Sequence, residues 1–185
     1  MTEIFTKTEL NEKQLLRLED TEFFKAVYFK HANALFQYSF QYTLDKAQAE
    51  DVVQEVFLDL WKNRKKIKIK TTLQAYLYSM VKYKNLNSLR RQQTLPHIPL
   101  DEINSPVQAE TTDTEDAFRT EKLIQQKIDE LPAQTRETFR LSRFDGLTYQ
   151  EIATIQGISI KTVETQISRS LKKLRKELNY LLKST

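Results

Sequence analysis

TYQEIATIQGISIKTVETQISRSLKKLR, residues 148–175, is the stretch that decides the fold. Thr148 and Glu151 form a T-x-x-E capping box, in which each side chain satisfies a main-chain donor at the start of a helix. Ile152 and Ala153 face inward, and Ala is small where two helices must cross closely. Gly157 comes four residues after Ala153, where the chain must turn and a positive φ is useful. Ile158 fills the corner and Ser159 N-caps a second helix. Val163, Ile167, Leu171, Leu174 and Leu178 are expected to form the buried stripe of that helix. The pattern is helix, tight turn, helix, the unit whose second helix enters the major groove of DNA.

The major groove, ~12 Å wide, admits one α-helix, and the N-terminal half of that helix reaches base edges. The outward residues there are Lys161, Thr162, Thr165 and Gln166. Gln166 suits adenine N6/N7, the threonines suit thymine methyls, and Lys161 suits guanine or phosphate. Arg169, Lys172 and Lys173 lie further along and suit phosphates. Glu164 suits the rim of such an interface. An ordinary helical hairpin with a basic face would share the charges but has no need of the two caps, the Ala and the Gly together.

Around this unit the chain reads as all-α. It has 185 residues, 39% hydrophobic and 29% charged, with only 2 Gly and 4 Pro. Few glycines disfavour Gly-rich phosphate loops and turn-dense β architecture. There is no Cys, which excludes disulfides and thiol chemistry. His31 and His97 are too far apart in sequence for a local zinc motif. No apolar run approaches ~18 residues and no signal-peptide pattern opens the chain, so no membrane insertion is expected and the cytoplasm is the expected location.

Charge is unevenly distributed. Residues 61–93 carry ten basic and no acidic side chains, and residues 94–120 carry one basic and six acidic. Residues 121–185 carry twelve basic and eight acidic. Two basic blocks flanking an acidic stretch suggest two polyanion contacts, although lysines also serve simply to solvate helix faces. Residues 94–120 hold three of the four prolines and little apolar content, and read as a flexible acidic linker. The expected organisation is a helical domain over 1–93, the linker, and a helical domain over 121–185 carrying the helix-turn-helix.

In the first domain, Phe24, Val27, Tyr28, Leu35, Tyr38 and Tyr42 make one apolar stripe at helical spacing. Asp45 N-caps the next helix, with Gln48 three residues on. Ala49, Val52, Val53, Val56, Phe57, Leu60 and Trp61 form the core face of that helix. A third runs from about Leu73 to Arg91, with Leu73, Leu77, Met80 and Val81 inward. The aromatics read as core, and no cofactor is expected. The far face of the middle helix presents Asp51, Glu55 and Leu58, with Gln54 beside them: either solvated surface or a docking face for a partner helix. In the second domain, helices are expected over Phe118–Glu130 and Gln134–Phe144, with Pro132 near the start of the latter.

These residues resemble a known family over roughly Leu15 to Leu182. AEDVVQEVFLDLWKNR (49–64), AYLYSMV (75–81) and LNSLRR (86–91) look like conserved region 2 of the extracytoplasmic-function (ECF) RNA polymerase sigma factors, group IV of the sigma-70 family. LPAQTRETFRLSRFDGLTYQEIA (131–153) and GISIKTVETQISRSLKKLR (157–175) look like region 4. Regulators that share this helix-turn-helix lack the first domain.

The resemblance implies an alternative sigma factor that binds core RNA polymerase and directs promoter-specific initiation. It implies that Asp51, Gln54, Glu55 and Leu58 dock on the β′ clamp helices. It implies that the acid-free block engages the −10 element as it opens, through Lys66, Lys68, Lys70, Tyr83, Lys84, Asn87, Arg90 and Arg91. A single strand needs a cationic track and aromatic faces, for which Tyr76, Tyr78 and Tyr83 are candidates. The helix-turn-helix would read the −35 element, and its domain would also sit on the β flap. An anti-sigma protein is the further partner implied, and nucleoid association in the holoenzyme. No catalysis is expected.

Four departures stand out. Tyr83 stands where the family often has Asn, and Gln156 replaces the usual apolar residue before Gly157. Gln166 stands where many relatives have a basic residue. Glu19-Asp20-Thr21 alters a common Gly-Asp turn. Two rivals remain at this point. A stand-alone helix-turn-helix regulator would need a symmetric dimer, and the Leu171, Leu174, Leu178, Leu181 run is short for a coiled coil. A nucleic-acid enzyme would need clustered ligands, yet Asp101, Glu102, Asp113, Glu115 and Asp116 fall in the linker.

Overall fold

The computed structural model describes residues 21–67, 69, 71–93 and 115–183, with side chains over 21–67, 69, 71–91 and 122–178. The described residues form seven helices. The chain divides between residues 102 and 103 into two compact units. Most of the stretch read as a linker, residues 94–114, lies outside the described residues, as does the Glu19-Asp20 part of the altered turn.

The first unit is a three-helix bundle of α1 (Thr21–Thr43), α2 (Lys46–Asn63) and α3 (Leu73–Gln93). Each helix packs against the other two. From α1, Val27, His31, Leu35, Tyr38 and Ser39 are buried. From α2 come Ala49, Val53, Val56, Phe57 and Leu60. From α3 come Leu73, Ala75, Leu77, Tyr78, Val81 and Asn85. Each large apolar side chain so buried contributes about 1.5–3 kcal/mol.

Rings lock the α1 seams: Phe24 meets Trp61 at 4.9 Å, Tyr28 meets Phe57 at 4.8 Å, and Tyr38 meets Tyr78 at 4.9 Å between centroids. Two buried polar groups absent from the apolar reading also meet. Ser39 Oγ donates to Asn85 Oδ1 at 3.1 Å, tying α1 to α3. The α1–α2 corner is tight. Leu44 takes a left-handed φ of 53°, a conformation that costs a side-chain-bearing residue about 1–2 kcal/mol. Asp45 then caps α2 as expected, accepting from the Gln48 N–H at 3.1 Å.

The second unit comprises α4 (Glu115–Asp129), α5 (Ala133–Arg143), α6 (Tyr149–Gln156) and α7 (Ile160–Lys183). The long α7 packs against the other three. Helix α4 begins three residues before the expected Phe118. Glu115 and Asp116 had the composition of a linker, but acids are favoured in the first turn of a helix by its dipole. The α4–α5 corner depends on the Arg of the LPAQTR stretch. Arg136 Nη1 donates to the Asp129 carbonyl at 2.7 Å, satisfying a helix-end acceptor.

The helix-turn-helix forms as its residues dictate. The Thr148 N–H donates to Glu151 Oε2 at 2.9 Å and the Glu151 N–H donates to the Thr148 hydroxyl oxygen at 3.3 Å, completing the capping box. Gly157 has φ 67° and the Ile158 N–H donates back to Ala153 at 3.1 Å, closing α6. Ser159 Oγ accepts from the Thr162 N–H at 3.0 Å at the head of α7. Open space surrounds the position a Gly157 Cβ would take, so the demand is on backbone conformation alone. Gly157→Ala should therefore destabilise this unit by about 1–2 kcal/mol, read as a lower thermal midpoint; an unchanged midpoint would contradict that account.

The expected stripe of α7 is corrected at Leu171, and its last member, Leu178, is half-buried. Leu171 is 37% exposed, and the buried stripe of α7 runs through Val163, Ile167, Ser170 and Leu174. At 3.6 residues per turn, steps of four, three and four stay on one face, and Leu171 lies about 100° beyond Ser170. Small Ser170 is buried in its place, with its hydroxyl donating to the Gln166 carbonyl at 2.8 Å.

Candidate nucleic-acid and partner interfaces

Helix α2 presents Asp51, Gln54, Glu55 and Leu58 on its exposed side. Leu58 is 54% exposed, a large apolar group that folding leaves in water. Beside it an open groove of about 440 Å³ runs between α1 and α2, lined by Phe24, Tyr28, Gln54, Phe57, Leu58 and Trp61. Phe24, Tyr28 and Trp61 were read as core alone; each is half-buried and gives one face to the groove. Their position on the stripe edge was the only sequence signal for that. Lys25 is the one charged residue that lines the groove, and Asp51 and Glu55 stand exposed on the same helix as Leu58; an apolar trough next to such a face suits an amphipathic helix.

The cationic block is arranged differently from its sequence reading at one point. Lys84 was placed among the DNA contacts, but its ammonium lies 3.0 Å from Glu55 Oε2 and 2.7 Å from Asp59 Oδ2. Burial pulls its pKa down, and the hydrogen bonds and charges of Asp59 and Glu55 outweigh that, so it stands above the ordinary lysine value. The structure thus brings one residue of the docking stripe and one of the cationic block into a single ion-pair cluster. Arg64 is also engaged, stacked 3.9 Å over the Trp61 ring.

Lys66 is exposed in the turn after α2, whereas Lys68 and Lys70 lie outside the described residues. On α3, Asn87 is half-exposed, and Arg90 and Arg91 stand exposed in the last turn. The three candidate tyrosines separate cleanly. Tyr78 is fully buried and belongs to the core, Tyr76 is half-buried, and Tyr83 is 67% exposed. Burial, and then the nearby Asp59 carboxylate, raise the Tyr76 pKa. Tyr83 alone of the three offers an open ring.

On α7 the structure brings Lys161, Thr162, Thr165, Gln166, Arg169 and Lys173 to one groove, closed on its far side by Leu131, Pro132 and Thr135. Lys161, Arg169, Lys172 and Lys173 are exposed. Lys173 also reaches the Glu130 carbonyl at 3.4 Å, so it braces the end of α4. Thr165 gives its hydroxyl back to the Lys161 carbonyl at 2.8 Å. Gln166 differs from its fully outward reading. It is half-buried, and its Oε1 meets the buried Thr138 hydroxyl of α5.

Comparison with known proteins follows the same two units. Residues 27–94 match the family described as Sigma-70 region 2, and residues 121–174 match Sigma-70, region 4. The ECF RNA polymerase sigma factor SigL of Mycobacterium tuberculosis is 30% identical over 160 residues, covering 85% of this chain and 89% of its own. The ECF RNA polymerase sigma factor SigW of Bacillus subtilis is 28% identical over 174 residues, covering 88% and 92%. Among solved structures, the sigma factor RpoE from Bartonella quintana, in complex with the anti-sigma factor NepR, shares the fold. Its TM-score is 0.60 at 21% identity, over 85% of this chain and 98% of that one. The chain belongs to the ECF sigma factors of RNA polymerase. It is an alternative sigma factor, a regulatory protein that binds RNA polymerase and directs promoter-specific transcription initiation.

Proposed function

We propose a division of this work between the two units. Residues 1–93 form the region-2-like domain, which docks on the β′ clamp helices of core polymerase through Asp51, Gln54, Glu55 and Leu58. The groove beside Leu58 seats the apolar side of the partner helix. The observation that carries this reading is that apolar trough beside the exposed Leu58, on a helix that also exposes Asp51 and Glu55, for which a stand-alone DNA-binding regulator has no use. The same domain engages the −10 element with Lys66, Lys68, Lys70, Asn87, Arg90 and Arg91. Tyr83 is its stacking platform for an unpaired base. Lys84 joins this track only on leaving Glu55 and Asp59.

Residues 121–185, to which the first turn of α4 adds, form the region-4-like domain. It places α7 on the −35 element and also sits on the β flap. Residues 94–120 connect the domains. Each DNA contact is modest alone; polymerase fixes their spacing and raises the effective concentration of the second once the first is made. The protein has no catalysis of its own and works in the cytoplasm, at the nucleoid when in the holoenzyme. An anti-sigma protein covering the polymerase- and DNA-binding faces is the further partner.

Run-off transcription with the native core polymerase and a promoter library randomised at both elements tests the reading. Initiation only when this protein is added supports it, and the selected templates give both elements. No initiation, with unaided duplex binding by a dimer, would return the stand-alone regulator. Within the same system, Arg169→Ala with Lys172→Ala should weaken promoter binding about equally for all sequences. The double change should lower the salt slope by about 2, since each phosphate contact contributes about 0.9. A changed sequence profile with an unchanged slope would mean that these residues read bases.

A further inference from the structure

Two of the departures from the family pattern, Gln156 and Gln166, converge on one atom. The Thr138 hydroxyl, fully buried on α5, lies 2.7 Å from Gln156 Oε1 of α6 and 2.5 Å from Gln166 Oε1 of α7. It also lies 2.9 Å from the Gln134 carbonyl of its own helix. A hydroxyl carries one proton and two lone pairs, so it can donate to only one of these three oxygens. The amide oxygen and nitrogen of glutamine have nearly the same shape, and the hydrogen-bond network decides which way each points. Gln156 Nε2 is buried with no partner. Turning the Gln156 amide end for end brings that N–H to the hydroxyl oxygen. The hydroxyl then either gives its proton to Gln166 Oε1 or gives it to the Gln134 carbonyl and accepts from a turned Gln166 amide; both keep Gln166 bonded to Thr138. The result is a hydrogen-bonded cluster of Gln156, Thr138 and Gln166 that ties α5 to both helices of the helix-turn-helix.

This arrangement changes what Gln166 can read. Bidentate recognition of adenine requires the amide to lay both its oxygen and its nitrogen along the N7/N6 edge. A bond to that fully buried hydroxyl takes up one side of the amide and fixes its rotation, so the edge that Gln166 turns to DNA is set by α5 and is not free to swing onto N7 and N6 together. We propose that Thr138 is a positioning residue for −35 reading: it holds one edge of the Gln166 amide inward, so that Gln166 meets a base through a single polar group and adenine discrimination is withheld. Gln156 locks the hydroxyl in that role. The proposal rests on the assignment of α7 to the −35 element and names how one of its residues is aimed.

The test uses the full chain in holoenzyme, with templates randomised in the −35 region. Thr138→Val replaces the hydroxyl by a methyl of the same size, and Thr138→Ser restores it. Wild type and Thr138→Ser should select the same −35 profile. Thr138→Val should raise the preference for adenine at the base pair facing Gln166 by about fivefold or more, with the −10 profile unchanged. Gln156→Met, which unlocks the hydroxyl and leaves Thr138 in place, should move the same position in the same direction and serves if Thr138→Val does not fold. An unchanged −35 profile in a folded variant, or a uniform loss of initiation with no change of profile, would overturn the proposal. Failure of wild type itself to select any −35 sequence would instead overturn the assignment of α7.

Discussion

Core polymerase should lose at least 30-fold in affinity for the double variant Asp51→Lys, Leu58→Asp. Both side chains are exposed on α2, so the bundle keeps its core and the loss is not one of folding. Leu58 is a large apolar group at the mouth of the apolar groove. Replacing such an interface anchor by a charge removes roughly 2 kcal/mol or more of binding, and reversing an acidic rim charge against a basic partner slows association as well. Glu55 is the poorer choice for this experiment, because its carboxylate is shared with Lys84 and a change there also disturbs α3. Equilibrium binding to core polymerase, with circular dichroism to verify the fold, decides the matter. Wild-type affinity in the folded variant would remove the docking role from this face.

The second large effect concerns the other unit. Ile152→Ala should cost about 2–5 kcal/mol, because Ile152 is fully buried in α6 where α7 crosses. At about 0.05–0.15 kcal/mol of stability per residue, such a loss takes away about half of what holds this domain together. The expected result is holoenzyme that forms but selects −35 sequences more weakly, with hydrogen exchange protection lowered over α4–α7 and kept over α1–α3. Protection lowered throughout the chain, or unchanged −35 selection, would contradict it.

Local features were legible residue by residue. The Asp45, Thr148 and Ser159 caps and the Gly157 turn are set by side chains within three or four positions of the groups they satisfy, and all four form where the spacing places them. Helix α4 began early because a count of acids and prolines does not distinguish a linker from the acid-rich first turn of a helix. Leucine at nearly helical spacing looks like core, and only the burial of Ser170 against the exposure of Leu171 shows which of the two faces inward. The Ser39–Asn85 bond joins residues 46 apart, and no periodicity marks it.

The candidate interfaces divide along the same line. Which helix faces carry charge, and that α7 follows a tight turn, depend on composition and on the 3.6-residue period. The sequence by itself therefore determined the all-α class, the helix-turn-helix and the family. What a given polar side chain is free to do depends on what stands opposite it. Lys84 is 29 residues from Glu55, and Thr138 is 28 from Gln166 and 18 from Gln156. Only the packing of α2 on α3, and of α5 with α6 and α7, brought those groups within hydrogen-bond reach. That packing turned a nominal DNA-binding lysine into the partner of two carboxylates and a nominal base-reading glutamine into one held by a buried hydroxyl. Hydrogen bonds and ion pairs act over about 3 Å, so the tertiary structure alone decided their partners.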